Sequence, residues 1–235
     1  MLAIFKRELR SYFTGAIGYV FLVLFLAVSG AVFCYSTLFS MSANVTNYFM
    51  YMMIFSAIVL PLLTMKSFSE ERKIKTEQLI LTAPVSLPAM VFGKFFAAYL
   101  IFAAAMVLSS LYFLFLLPYA IVSIPLLLGN LLAILLVGMV FISIGLFVSS
   151  LTENQLAAAV GTIAIILGFL LIGLISALLP TSFALRYVFD FISIFMRFQG
   201  FVNGYFDIAS LVYYLSISAV FLYLTIRIYD RRRYG

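Results

Sequence analysis

The sequence predicts an all-α polytopic membrane protein with six transmembrane helices, on three observations. Of the 235 residues, 66% are hydrophobic and only 9% charged, with a mean hydropathy of +1.23. A soluble domain carries roughly a quarter charged residues and about half apolar ones, so the bilayer is the solvent that suits this chain. Charge is absent from two long stretches, 55 residues between Arg10 and Lys66 and 58 between Lys94 and Glu153. Threading the chain through six crossings then places 12 of its 14 basic residues on one side.

Residues 1–14 carry apolar side chains at 2, 5, 9, 12 and 13 and charges at 6, 7, 8 and 10. This pattern predicts an amphipathic helix lying at the membrane interface. A span needs about 20 residues to cross a core of about 30 Å, so each charge-free stretch holds two. The first divides at the polar run 40–47, giving spans near 17–39 and 48–65. The apolar run after the basic start is too long for a signal-peptide core and lacks a small-residue cleavage site, so the first span is expected to remain as an anchor.

The connector 66–94 is the longest polar stretch. Ser69 is expected to cap a short helix with Glu70 and Glu71 in its first turn, where the dipole favours acids. Leu79, Ile80 and Leu81 would make its far end apolar and Pro84 would stop it. Ser86 is expected to cap the next helix, with Pro88 in the first turn. Such a helix-turn, tied to spans at both ends, suits transmission of force from a soluble partner, and equally suits a plain connector.

The second charge-free stretch divides at Pro118–Pro125, giving spans near 95–117 and 126–149. Thr152–Gln155 reads as a capping box, Thr152 the N-cap and Gln155 at N3, opening a fifth span near 155–179 that ends at Pro180. Gly145/Ser149 and Ala157/Gly161 would permit close helix approach, although chance produces such spacing in this composition. Residues 180–207 are apolar but too interrupted to span. They are expected to dip into the outer interface or pack on the bundle, with Arg186 and Asp190 paired at i,i+4. A sixth span runs near 208–228, and the whole of 1–235 reads as one transmembrane domain.

Placing the N-terminus in the cytoplasm sets Lys6, Arg7, Arg10, Lys66, Arg72, Lys73, Lys75, Lys94, Arg227, Arg231, Arg232 and Arg233 inside, with Arg186 and Arg197 outside. This is the positive-inside pattern with both termini cytoplasmic. It accounts for the formal net charge of +6 through an anionic leaflet, without a nucleic-acid partner. The span interiors hold no Lys, Arg, Asp, Glu or His, which argues against an ion-driven carrier, and the halves show no inverted repeat. The chain has no His and one cysteine, Cys34, in an apolar run where a small buried residue is the default. Gly93-Lys94 is followed by Phe95, with no glycine five residues earlier, so it is no phosphate loop. Catalytic residues, a metal site and ATP hydrolysis by this chain are not expected.

From Ser69 to Lys94 the sequence resembles the ABC-2 type permeases, the membrane subunits of ATP-binding-cassette exporters. Their hallmark runs from a glutamate through a Gly-Thr turn, a second glutamate, paired Leu/Ile and Pro-Val-Ser to a Gly-Lys. Glu71, Thr76, Glu77, Leu79, Ile80, Pro84, Val85, Ser86, Gly93 and Lys94 match it, whereas Lys75 stands where the family usually has glycine. The resemblance extends over the chain. Its ending, Phe198–Asp207 followed by Tyr213-Tyr214-Leu215-Ser216, is most similar to the branch of gliding-motility and nitrous-oxide-reductase-maturation permeases.

The resemblance implies a permease subunit of an exporter in the cell's inner (plasma) membrane. It would be coupled to a separate cytoplasmic ATPase that holds ATP and Mg, with no cofactor on this chain. It also implies a second permease copy or paralogue, and an extra membrane-anchored extracytoplasmic subunit. A membrane anchor or force-transmitting subunit that moves no substrate is the alternative. ATPase coupling is expected at Glu71, Arg72, Thr76, Glu77, Leu79, Ile80, Pro84, Val85, Gly93 and Lys94, with Pro84 and Gly93 shaping the elbow. An outer gate or partner contact is expected at Arg186, Asp190 and Arg197. A pathway lined by Phe, Leu, Ile, Ser and Tyr suits a lipid, a peptide or a lipoprotein, and equally plain lipid packing.

Overall fold

The computed structural model describes residues 1–41, 45–77, 86–119, 123–179, 184–204 and 207–234. Ten α-helices are described: α1 (Leu2–Thr14), α2 (Ala16–Phe33), α3 (Val45–Thr64), α4 (Lys66–Lys73), α5 (Leu87–Ser110), α6 (Ile124–Leu151), α7 (Gln155–Leu178), α8 (Ala184–Ile192), α9 (Ile194–Val202) and α10 (Ile208–Tyr234). Two change winding at their ends: α2 runs on as a π-helical segment, Cys34–Phe39, and α5 as a 3₁₀ segment, Leu111–Leu116. Among the described residues, six helical stretches are long and apolar enough to cross a membrane. The all-α, six-span architecture is therefore present.

α6 is the axis of the bundle: 72% of its apolar window is buried, against 22% for the first span and 28% for the last. It packs against α3, α5, α7, α9 and α10. Small residues let this happen. A Cβ at Gly138 would lie 2.0 Å from the Phe102 ring, and one at Gly145 would lie 2.1 Å from Thr64 Oγ1. Gly145 of the Gly145/Ser149 pair thus marks a true close crossing with α3, whereas Ala157 of the other pair is exposed. Away from the termini, Phe33, Tyr48 and Phe113 form an edge-on aromatic cluster with centroids 5.1–6.4 Å apart, the geometry ring quadrupoles favour.

The described part of the interrupted segment, 184–204, packs on the bundle. Ser193 caps α9 by accepting from Met196 N at 3.1 Å, and Ile194, Phe198, Phe201 and Val202 are buried. Gly173 of α7 makes room for the α8–α9 junction, since a Cβ there would lie 2.4 Å from Ser193 Oγ.

Four expectations need correction. The short connector helix begins at Lys66, directly after α3, and not at Ser69. Ser69 is mid-helix and donates its hydroxyl to Met65 O, because α3 supplies the preceding turn and no N-cap is needed. Glu70 and Glu71 consequently sit towards the C-terminal end of α4. The third span begins at Leu87, so Gly93 and Lys94 belong to α5 and not to a loop; Ser86 stands at its N-cap and Pro88 in its first turn, as expected, without a side-chain capping bond. The cap of α7 is Asn154, whose side chain accepts from Leu156 N and Ala157 N, while Thr152 Oγ1 accepts from Asn154 N. Asn captures the cap because it ranks with Asp and Ser as the strongest N-cap residues.

Candidate functional site

One end of the bundle gathers α1, α4, the start of α5 and the far ends of α6 and α10. α4 is seated there by Ser149 of α6. Its hydroxyl accepts from Phe68 N and Ser69 N, both at 3.1 Å, and donates to Met65 O at 3.2 Å. Phe68 thereby points inward, fully buried, its ring centroid 4.9 Å from that of Tyr229 on α10.

Lys94 is the centre of the site. The side chain is 1% exposed, and a charge so buried must be paired to persist. An ammonium has three donors, and each has a partner: Ser67 O at 2.8 Å, Glu71 at 2.8 Å and Glu8 at 3.1 Å. The Phe68 ring lies 5.1 Å from Nζ. Arg7 closes the cluster, contacting Glu8 at 2.6 Å and Glu71 at 3.1 Å. α1 can approach because residue 93 is glycine: a Cβ there would meet Ile4 at 3.0 Å. Tyr12, buried on α1, donates to Leu63 O at 3.3 Å and lies 3.3 Å from Ser67 Oγ. Burial pushes its phenol up to about 12, so it stays a neutral donor at physiological pH.

A second ion pair ties the chain's last helix to the connector. Arg232 contacts Glu77 at 2.9 Å and donates to Ser150 O at 2.7 Å. Arg72 donates to Leu151 O at 2.9 Å and pairs with Glu153 at 3.0 Å. Between α4 and Thr76 the backbone turns through Lys75 at φ +58°, the left-handed region where an L residue is disfavoured and glycine is not. That geometry explains why glycine suits this position in the hallmark, and Lys75 adopts it nonetheless. Thr76 Oγ1 steadies the turn by donating to Glu71 O at 3.2 Å.

Of the expected connector residues, Glu71, Arg72, Thr76, Glu77, Gly93 and Lys94 converge here; Leu79, Ile80, Pro84 and Val85 lie outside the described residues. Sequence reasoning missed Arg7, Glu8, Ser149, Tyr229 and Arg232. Glu8, the single acid in a basic run, and Ser149, in the small-residue pair, carried faint signals. At the other end, Arg186 and Asp190 pair at 3.6 Å, with Ser176 donating to Asp190. Arg197 does not join them. It donates to Phe191 O at 3.2 Å and lies 4.3 Å from the Tyr213 ring centroid.

The arrangement supplies no nucleophile poised beside a base. Its ions are partnered across four helices, so displacing α4 must also move α1, α5 or α10. A family model described as an ABC-2 family transporter protein matches residues 35–229. No match was found among curated proteins.

Proposed function

The chain belongs to the ABC-2 family of transporter proteins, and from that premise we propose that it is the permease subunit of an ATP-driven exporter, with the basal ion cluster as its coupling element. As a family member it is a membrane component of an ABC transporter, and the ATPase is a separate subunit. The observation that carries the coupling assignment is Lys94. One buried ammonium holds α1 through Glu8 and α4 through Glu71, so a push on α4 is delivered to the span it sits on. ATP-driven closure of two cytoplasmic ATPases would load α4 in each of two permease copies and bias the pair between two packings. The basic residues around this end support a cytoplasmic orientation. The chain's ending supports the branch with gliding-motility and nitrous-oxide-reductase-maturation permeases, and with it an extra membrane-anchored partner at the α8–α9 face.

The test is co-purification of a tagged chain from mild detergent, with ATP hydrolysis assayed on what is recovered. Wild type should bring down an ATP-binding subunit. Glu77→Lys should lose that subunit or its permease-dependent hydrolysis. Because Glu77 also bonds Arg232, the paired reversal Glu77→Arg with Arg232→Glu separates the roles: it restores the internal bridge and the melting temperature, yet should remain uncoupled. Full ATPase recovery and hydrolysis with Glu77→Lys would remove this surface from the contact. Recovery of the permease alone would remove the ATPase from the reading.

A further inference from the structure

Beside the ion cluster lies an open cavity of about 480 Å³. Its lining carries three cations, Arg7, Lys66 and Lys94, and three carboxylates, Glu8, Glu70 and Glu71. Four of these six are committed to one another within 3.1 Å. Lys66 and Glu70 are not: their charges stand 4.0 Å apart and their side chains are 34% and 44% exposed. The cavity therefore presents a cation and an anion, side by side and loosely paired, within a lining of zero net charge.

A second, apolar cavity of about 240 Å³ adjoins the first, with Ile17 lining both. It is a groove between α2 and α3 that runs from Ala16 to Leu24 on one helix and from Met65 to Val59 on the other. Eight residues of α-helix rise about 12 Å, most of the depth of one leaflet in a hydrocarbon core about 30 Å thick. Val20, Leu24 and Leu62 are exposed along it. The polar cavity thus opens at the membrane boundary and the apolar groove leads from it into the bilayer.

We propose that these two cavities form one binding site for a zwitterionic aminophospholipid of the leaflet on the N-terminal side, its headgroup between Lys66 and Glu70 and an acyl chain along the α2–α3 groove. The phosphate takes Lys66 and the ammonium takes Glu70, each a charge-assisted hydrogen bond. An anionic headgroup lacking the amine would take Lys66 with its phosphate and leave Glu70 beside it without a cation of its own, and a trimethylammonium has no N–H to donate. The site does not depend on the ATPase and is tested without it.

The experiment is native mass spectrometry of the delipidated full chain titrated with palmitoyl-oleoyl phosphatidylethanolamine, phosphatidylcholine or phosphatidylglycerol. One phosphatidylethanolamine should be retained at activation energies that strip the other two, with about tenfold preference. Lys66→Ala should cut retention of all three, Glu70→Gln should abolish the preference for the ethanolamine lipid, and Val20→Trp should block the groove and lose the retained lipid with the headgroup residues intact. Arg186→Ala, at the other end of the bundle, should change nothing. Equal retention of the three lipids, or undiminished retention in Val20→Trp, would overturn the proposal. So would disulfide-linked dimers of Val20→Cys in a Cys34→Ser background without retained lipid, which would seat a second copy of the chain in the groove.

Discussion

Replacing Lys94 by methionine removes the cation on which α1, α4 and α5 converge while keeping side-chain length and apolar volume. Glu8 and Glu71 would then share only Arg7. Removing one partner of a buried ion pair costs about 3–5 kcal/mol. The two carboxylates are 13% and 19% exposed and keep a cation, so water and Arg7 reduce the loss to about 2–3 kcal/mol. At about 2–4 °C per kcal/mol for a chain of this size, the melting temperature in detergent should fall by about 5–10 °C. A triple variant, Glu8→Gln with Glu71→Gln and Lys94→Met, should recover part of that loss, because it removes the two carboxylates that Lys94→Met leaves short of a cation and leaves only Arg7, whose side chain is 54% exposed. The reasoning is refuted if Lys94→Met melts within about 2 °C of wild type, or if the triple variant melts below the single one. The first result would mean that the ammonium contributes nothing, and the second that Glu8 and Glu71 are held by Arg7 without it.

Three further outcomes are expected. Lys75→Gly should stabilise the chain by up to about 1 kcal/mol, read as a higher melting temperature, because it relieves a left-handed residue, whereas Lys75→Val should lower it. Gly145→Ala should cost about 1–3 kcal/mol by driving Thr64 off the α3–α6 crossing; Thr64→Ala in the same chain should return part of it, and no loss in the single variant would show that the crossing has slack. Asp207 accepts from Ser210 Oγ, Ala209 N and Ser210 N, and these bonds, the Ser210 hydroxyl's first, hold its carboxyl below the ordinary range. With the folded value the lower one, its stabilisation is complete above the unfolded value near pH 4 and is lost as pH falls through the folded value, so Asp207→Asn should flatten the acid limb of a melting-temperature profile, and an unchanged limb would dismiss the cap.

Helix existence was legible because each charge-free stretch holds whole spans, and because Arg186 and Asp190 sit at helical spacing where the chain cannot cross. The basal cluster was legible only in part. Glu71, Gly93 and Lys94 stand out within one connector, but Glu8 and Lys94 are 86 positions apart in sequence and only folding makes them neighbours. The misplaced start of α4 has a local cause. Ser69 followed by two acids reads as a cap, yet a helix already running from α3 has no free end for Ser69 to close. Thr152 and Asn154 both take extended backbone before α7, and the cap fell to Asn154, the stronger capping residue and the one next to the helix.

The 3₁₀ end of the third span packs against the last α-helical turn of the first, just before that span turns π-helical. Phe33, at that junction, touches Tyr112 and Phe113 within the 3₁₀ segment, with centroids 5.5 and 5.3 Å apart. Six residues wound as 3₁₀ extend about 12 Å, against about 9 Å as α-helix. Rewinding Leu111–Leu116 would therefore retract the tip of that span by about 3 Å and turn every side chain beyond Ser110, drawing Phe113 out of its place against Phe33 and Tyr48. The 3₁₀ thread bears on the last turn of α2 through aromatic rings, so a change of its pitch is met there like a nut turning on a bolt.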